Sequence, residues 1–176
     1  MNSIQLVLGG CRSGKSKYAL TYANTYWQPP KCFLATSEPL DNEMHARIAN
    51  HKKERGPDWH TMECPITICD TIHNNAHNYS GILLDCITLW ISNLMCRDMD
   101  DDLIKQQISL FLDTLKKIEC PIIIVSNEVG LGIVPDNQMA RLYRDLVGYA
   151  NQQIAEIADR VVFMVAGRPM TVKNDV

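Results

Sequence analysis

The residues that most clearly indicate a chemical function lie in a glycine-rich segment near the start of the chain. It reads Gly9-Gly10-Cys11-Arg12-Ser13-Gly14-Lys15-Ser16 and matches the pattern GxxxxGK[ST] in full. Glycines let the backbone curl closely around phosphates, which successive N–H groups bind at a helix start. Lys15 is expected to reach the outer phosphates and Ser16 to ligate Mg²⁺. The segment therefore predicts a loop in which Gly9 to Ser16 bind the phosphates of ATP or GTP.

A carboxylate that could complete such a site follows a later apolar run. Ile82-Leu83-Leu84 leads directly into Asp85. A phosphate-binding loop such as Gly9 to Ser16, called a P-loop, needs an acidic residue at the end of a neighbouring strand to hold Mg²⁺. Asp85 could instead cap the helix that follows, or do both through a metal-bound water. We predict a metal site made of Ser16 and Asp85, with capping as the alternative.

A polar segment from Asp41 to Arg55 has the spacing of a helix. Glu43, Arg47, His51 and Arg55 recur every four residues and share one face, which places an imidazole among cations. Pairing of Glu43 with Arg47 on a solvated surface explains the pattern without any function. Spacing alone therefore leaves a catalytic role of His51 open.

Two clusters of possible metal ligands have simpler explanations. Cys69, His73 and His77 stand at four-residue steps, but no fourth ligand is evident and the segment is polar. The acidic run from Asp98 to Asp102 precedes Leu103, where it could cap a helix and complement its dipole. We predict no metal at either place.

Two loops are ambiguous. Asn127 to Pro135 follows a buried strand and could form a substrate lip in an enzyme or a moving switch in a regulator. The turn from Ala166 to Met170 offers no residues that indicate a site.

The elements that position these residues alternate between short apolar runs and longer stretches of helical period, which is typical of βα units around a mostly parallel sheet. The fold class is α/β, in one domain over residues 1–176. The predicted strands are Ile4 to Leu8, Cys32 to Ala35, His60 to Cys64, Ile82 to Leu84, Pro121 to Ser126, Val161 to Val165 and Met170 to Lys173. Helices are predicted after Gly14 and over Asn42 to Arg55, Ile66 to His77, Leu103 to Ile118 and Asn137 to Ala158.

Composition narrows the classes of partner. The 176 residues carry a formal net charge of -3, so no general attraction to nucleic acid or anionic membrane is expected. No apolar run is long enough to span a bilayer and no signal peptide is evident, which predicts a cytoplasmic protein without a membrane span. Seven scattered cysteines without a CxxC pair do not indicate disulfides, and most are expected to be buried apolar residues.

Taken together, these segments resemble the bifunctional adenosylcobinamide kinase/adenosylcobinamide-phosphate guanylyltransferase family of cobalamin biosynthesis. The resemblance spans nearly the whole chain and is specific because the segments occur in the family's order. They are the P-loop, Ala35-Thr36-Ser37, Asp41-Asn42-Glu43-Met44 with Arg47-Ile48 and His51-Lys52, Leu84-Asp85-Cys86-Ile87-Thr88, and Asn127 to Pro135.

The resemblance implies a P-loop NTPase fold of the RecA-like type, with a mostly parallel central sheet flanked by helices. It implies phosphorylation of adenosylcobinamide by ATP or GTP, followed by transfer of GMP from GTP to adenosylcobinamide phosphate. It assigns His51 as the nucleophile that carries GMP, beside Lys15 as the other catalytic residue, and it implies a homotrimer. It also implies nucleotide contacts from Ala35, Thr36, Ser37, Lys52, Lys53, Glu54, Arg55, Glu63 and Asp85.

The chain departs from the family pattern in small ways. Cys11 stands where alanine is expected, and Asn50 stands where a second basic or imidazole side chain is common. Neither change removes a group that the chemistry requires. The alternatives are a P-loop kinase for another small metabolite and a nucleotide-driven switch, neither of which would form a GMP adduct.

Overall fold

A computed structural model describes residues 3–38 and 55–175 of the chain. They form a seven-stranded sheet in the order β3-β2-β4-β5-β1-β6-β7. The strands are β1 Ile4–Gly9, β2 Lys31–Ala35, β3 Trp59–Glu63, β4 Ile82–Asp85, β5 Ile122–Val125, β6 Arg160–Val165 and β7 Arg168–Asn174. All neighbours are parallel except β6 and β7, which pair antiparallel with a register shift between Val161 and Val162.

Five α-helices connect these strands in the described part of the chain. They are α1 Lys15–Tyr26, α2 Ile68–Asn75, α3 Ile87–Met95, α4 Asp101–Lys116 and α5 Gln138–Ile157, with a 3₁₀ turn over Ala76–Asn78. The predicted α/β class and the mostly parallel sheet are confirmed, and the predicted strands differ from the observed ones by at most two residues at each end.

The helix predictions succeeded where an apolar stripe is clear. The stretch predicted as Ile66 to His77 divides into α2 and the 3₁₀ turn, and the segment Asn42 to Arg55 lies outside the described residues except for Arg55. Helix α3 was absent from the predicted helices. Its nine residues include five that are buried, so it shows no polar face that would mark it as amphipathic.

Alternate residues of the central strands enter two cores on opposite faces of the sheet. In β4, Ile82 and Leu84 join the larger core under α2 to α5, whereas Leu83 joins the smaller core. Trp27 and Trp59 belong to the smaller core, on the face that α1 covers. Strands buried on both faces explain why they appear in the sequence as short continuous apolar runs.

Parallel strands direct their carboxyl ends to one edge of the sheet. The P-loop follows β1, Thr36 follows β2, Asp85 ends β4 and Ser126 follows β5. Ligands of such sheets bind at this edge, next to the helix starts. In the described residues no helix is both long and apolar enough to cross a bilayer.

Candidate active site

The P-loop connects β1 to the start of α1. Gly14 is the N-cap of α1 with φ 96°, and no side chain caps the helix. The first turn of α1 also contains no acidic residue. Its amide groups and the positive end of its dipole therefore remain available to an anionic ligand.

The turn between β6 and β7 packs against the P-loop. Gly167 donates its backbone N–H to Ser13 O at 3.0 Å. A Cβ on Gly14 would lie 3.2 Å from Gly167 Cα, and one on Gly9 would lie 2.7 Å from Met164 O. The glycines of the motif thus allow a close approach between the P-loop and β6, beside their role near phosphates.

Lys15 lies inside the loop and is only 8% exposed. Its Nζ donates to Gly10 O at 2.6 Å. Burial lowers the pKa of Lys15, and the nearby Asp85 carboxylate partly offsets that effect. Bound phosphates would supply the negative charge that favours the ammonium form.

Ser16 and Asp85, for which the sequence predicted a shared metal site, are in direct contact. Ser16 Oγ donates to Asp85 Oδ2 at 2.7 Å. Helix α3 has Cys86 at its N-cap, with no capping hydrogen bond from that side chain. The alternative that Asp85 occupies the capping position is therefore wrong.

The donor set at this point fits Mg²⁺. A hydroxyl and a carboxylate are hard oxygen ligands, and Mg²⁺ in nucleotide enzymes is held by one or two protein oxygens together with phosphates and water. The described residues contain no group of three His, Cys, Asp or Glu side chains that could hold a metal alone. Ser16 and Asp85 suit an ion that arrives with its nucleotide.

Of the three residues at the end of β2 for which nucleotide contacts were predicted, two line the cavity at this edge. Ala35 and Ser37 line it. Thr36 is fully buried, and its hydroxyl both donates to Cys86 O at 2.7 Å and accepts from Cys86 N at 2.8 Å. The Thr36 side chain therefore fixes the backbone after Asp85 and does not line the cavity.

Arg55 lines the cavity as predicted for a nucleotide contact. Its guanidinium carbon lies 3.7 Å from the centre of the Phe33 ring, and Nη2 donates to Thr61 Oγ1 at 3.0 Å. Glu63, at the end of β3, is exposed and does not line this cavity. His51, Lys52, Lys53 and Glu54 lie outside the described residues.

The cavity has a volume of about 660 Å³ and contains all P-loop residues from Cys11 to Ser16 in its wall. Ser13 Oγ is buried and has no hydrogen-bond partner among the described residues, so it is a spare donor. Residues for which the sequence predicted no nucleotide contact also line the wall. They are Lys17, Phe33, Thr61, Cys86, Thr88, Leu89, Val125, Asn127 and Tyr143.

Two of these additional residues, Cys86 and Tyr143, have raised pKa values. Burial and the adjacent Asp85 raise the pKa of Cys86 to about 11, so its thiol stays protonated near neutral pH and is a poor nucleophile. Burial raises the pKa of Tyr143, whose hydroxyl donates to Thr88 O at 3.2 Å. No local motif marks either residue, because α5 brings Tyr143 to the wall only in the folded chain.

Comparison with known families identifies this arrangement. The model of the cobinamide kinase/cobinamide phosphate guanyltransferase family matches residues 5–172. The chain belongs to this family. The bifunctional adenosylcobalamin biosynthesis protein CobP of Pseudomonas aeruginosa is 39% identical over 170 residues, 97% of each chain. The bifunctional adenosylcobalamin biosynthesis protein CobU of Salmonella typhimurium is 36% identical over 96% of this chain and 98% of its own.

Solved structures similar to this cobinamide kinase family member share its fold at low identity. The flagellar accessory protein FlaH of Methanocaldococcus jannaschii has a TM-score of 0.54 at 13% identity, covering 98% of this chain and 79% of its own. A second solved structure, an ATPase domain, has a TM-score of 0.56 at 10% identity, covering 99% of this chain and 78% of its own. The predicted fold, a mostly parallel sheet flanked by helices with the P-loop after β1, is confirmed.

Other predicted features of this cobinamide kinase family member have structural explanations. Asp100 caps α4 by accepting from Leu103 N at 2.8 Å, so the acidic run begins a helix. His73 and His77 are exposed on α2 and the 3₁₀ turn, and neither belongs to a metal-binding group in the described residues. Five of the seven cysteines are buried, as expected for small apolar residues, while Cys11 and Cys96 are exposed.

Proposed function

We propose that the chain phosphorylates the hydroxyl of adenosylcobinamide with ATP or GTP and then transfers GMP from GTP to the resulting phosphate, giving adenosylcobinamide-GDP. The observation that carries this proposal is the contact between Ser16 and Asp85 beside buried Lys15, in a member of the cobinamide kinase family. The P-loop alone is shared by many enzymes. Family membership over residues 5–172 supports the substrate.

In the kinase step, the bond from the γ-phosphorus to the leaving nucleotide breaks as the bond to the acceptor oxygen forms. Lys15 and the amides at the start of α1 stabilise the negative charge on the transferred phosphoryl group. Ser16 and Asp85 would hold Mg²⁺, which neutralises charge on the nucleotide phosphates. Lys15 is only 8% exposed, so solvent screens its charge less than that of a surface lysine.

In the guanylyl transfer step, neutral His51 attacks the α-phosphorus of GTP. A P–N bond forms, the bond between the α-phosphorus and its bridging oxygen breaks, and pyrophosphate leaves. A phosphate oxygen of adenosylcobinamide phosphate then displaces the imidazole. Support for His51 comes from the family resemblance and from Arg55, which lines the cavity only four residues later in the chain.

Imidazole suits both halves of that transfer, because it is nucleophilic when neutral and a good leaving group when protonated. The buried thiol of Cys86 is a poorer candidate since its raised pKa keeps it protonated. A kinase for another metabolite and a nucleotide-driven switch are less favoured, because neither explains a family match over almost the whole chain.

The test is incubation with α-labelled GTP, followed by mass analysis of wild type, His51→Ala and the matched control His73→Ala. Wild type and His73→Ala should carry one GMP on an acid-labile, base-stable linkage, as expected for a P–N bond. His51→Ala should lose the adduct and the guanylyl transfer but still phosphorylate adenosylcobinamide. Labelling of His51→Ala would place the nucleophile elsewhere.

We further propose Mg²⁺ as the required ion, a cytoplasmic location and a homotrimeric assembly. The donor set of Ser16 and Asp85 supports the ion. The trimer rests on the family resemblance. The location rests on the sequence, in which no apolar run is long enough to span a bilayer. Sedimentation velocity of the purified protein tests the trimer, and a monomer at micromolar concentration would contradict it.

A further inference from the structure

The loop between β5 and α5, residues 126–137, presents an apolar tip to solvent. Ile133 is 96% exposed, Leu131 is 77% exposed and Val134 is 58% exposed. We call these three side chains the lip. Single exposed apolar residues are ordinary on protein surfaces, but three within four positions of one loop form a patch that favours an apolar ligand.

Hydrogen bonds hold both ends of this loop, the first end to the P-loop and the second to α5. At one end, Glu128 donates its backbone N–H to Gly9 O of the P-loop at 3.1 Å. The buried Asn151 donates from Nδ2 to Asn127 O at 3.0 Å. At the other end, Arg141 donates from Nη1 to Pro135 O at 3.0 Å. The lip therefore has a defined attachment beside the nucleotide cavity, whose wall includes Asn127.

Apolar surface continues from the loop along the first turns of α5. Met139, Leu142 and Tyr143 are three and four residues apart and share one helix face. Met139 and Leu142 are exposed, and Tyr143 lines the nucleotide cavity. This face connects the region of the lip to the place where the phosphates are expected.

The wall of the cavity differs from the lip in charge. Arg12 and Lys17 are exposed cationic residues in its wall. The residues of the lip are uncharged, and the acidic Glu128 and Asp136 lie on either side of them in the sequence. Arg12 and Lys17 suit phosphates, whereas the lip offers no charge to pair with them and suits an uncharged, apolar body.

A cavity of about 660 Å³ lies within the usual range for one small ligand. A nucleoside triphosphate fills a cavity of this volume. A corrin macrocycle with its substituents must therefore lie outside it. Only the arm that carries the acceptor hydroxyl has to enter. Methyl groups on the corrin periphery provide an apolar surface that can pack against the lip.

We propose that the lip, Leu131, Ile133 and Val134, is the surface on which the corrin ring of adenosylcobinamide rests during both reactions. This inference depends on the function proposed above, because it names where that substrate binds. The lip acts by binding alone and takes no part in bond breaking. Its loss should therefore raise the KM for the corrinoid without changing the KM for the nucleotide.

The test is the double variant L131S/I133S, compared with wild type and with the control L110S. Leu110 is 49% exposed on α4 and borders a separate cavity with Cys69 and His73. Steady-state kinase assays would vary adenosylcobinamide at saturating nucleotide, and then nucleotide at saturating corrinoid. Equilibrium dialysis of adenosylcobinamide, read by its visible absorbance, would measure binding without turnover. Sedimentation velocity would record the assembly of each variant.

The double variant should raise the KM and the dissociation constant for adenosylcobinamide by about tenfold or more, because it removes two aliphatic side chains that the bound corrinoid would bury. Its kcat at saturating corrinoid and its KM for nucleotide should stay within about twofold of wild type. L110S should match wild type throughout.

If wild type is active and L131S/I133S has the same KM and dissociation constant for adenosylcobinamide, the proposal for the lip is wrong but the proposed function is not contradicted. If sedimentation of that variant also changed, the lip would be a contact between copies of the chain. Wild type without cobinamide-dependent turnover would overturn the proposed function, and the lip proposal with it.

Discussion

Alanine at Gly9 is expected to destabilise the nucleotide-free protein, whereas alanine at the adjacent Gly10 is not. A Cβ on Gly9 would lie 2.6 Å from Ser13 Oγ and 2.7 Å from Met164 O. The serine hydroxyl can rotate away. The Met164 carbonyl cannot, because it belongs to β6, which pairs with β1 at this position. Gly9 also has φ +150°, a conformation that L side chains rarely adopt.

The cost can be bounded from these contacts. Overpacking and backbone strain together cost about 2–4 kcal/mol, and each kcal/mol lowers the Tm of a domain of this size by about 2–4 °C. Gly9→Ala should therefore lower the Tm by roughly 4–16 °C. A Cβ on Gly10 has no neighbour within 4 Å, so Gly10→Ala should stay within about 0.5 kcal/mol of wild type.

The assay is thermal unfolding of both variants without nucleotide, supported by urea denaturation at 25 °C. Nucleotide affinity would then be measured well below the lower Tm, where Gly9→Ala should bind more weakly because its loop has moved. An unchanged Tm for Gly9→Ala would refute the reasoning. So would an equal fall for Gly10→Ala, since the motif would then be fragile for a reason unrelated to β6.

Three further substitutions separate roles within the site. Lys15→Met should weaken nucleotide binding at least about tenfold without lowering the Tm of the nucleotide-free protein, because it removes a charge that burial disfavours. Its Tm relative to wild type should fall as pH rises through the lowered pKa of Lys15, since a neutral amine costs less to bury. Asp85→Asn should reduce Mg²⁺-dependent turnover more than nucleotide binding in EDTA, and equal losses would contradict a shared site with Ser16. Thr36→Val should lower the free energy of unfolding by about 2–4 kcal/mol, because two buried backbone groups of Cys86 lose their partner, and Thr36→Ser should restore most of it in urea denaturation.

Local sequence patterns were sufficient to predict where the P-loop and Asp85 lie in the fold, at the ends of β1 and β4. The motif is contiguous, and an acid at the end of a buried strand can be recognised from the apolar run before it. The strands were predicted for the same reason, since β4 and β5 are buried on both faces. Helix α3 was missed because burial on most sides removes the amphipathic stripe on which helix prediction depends.

The rest of the site depends on tertiary packing. Phe33 reaches the cavity because β2 lies next to β4, and Tyr143 because α5 packs over α3. Thr36 illustrates this dependence: the sequence predicted a nucleotide contact, which stays a prediction, while the folded chain uses the Thr36 hydroxyl to hold Cys86. A motif position alone does not distinguish a side chain that faces the ligand from one that holds the backbone behind it.

The support of the P-loop by the β6–β7 turn has a consequence for biosynthesis of the protein. Residues 9–16 leave the ribosome long before Gly167 and Met164, which contact that loop in the folded chain. The nascent chain can form α1 and β1 before β6 exists, yet the loop then lacks its partner on one side. We expect a ribosome-bound chain that ends before residue 160 to be unable to retain nucleotide. Nucleotide binding would then act as a signal that translation of the β6–β7 hairpin is complete.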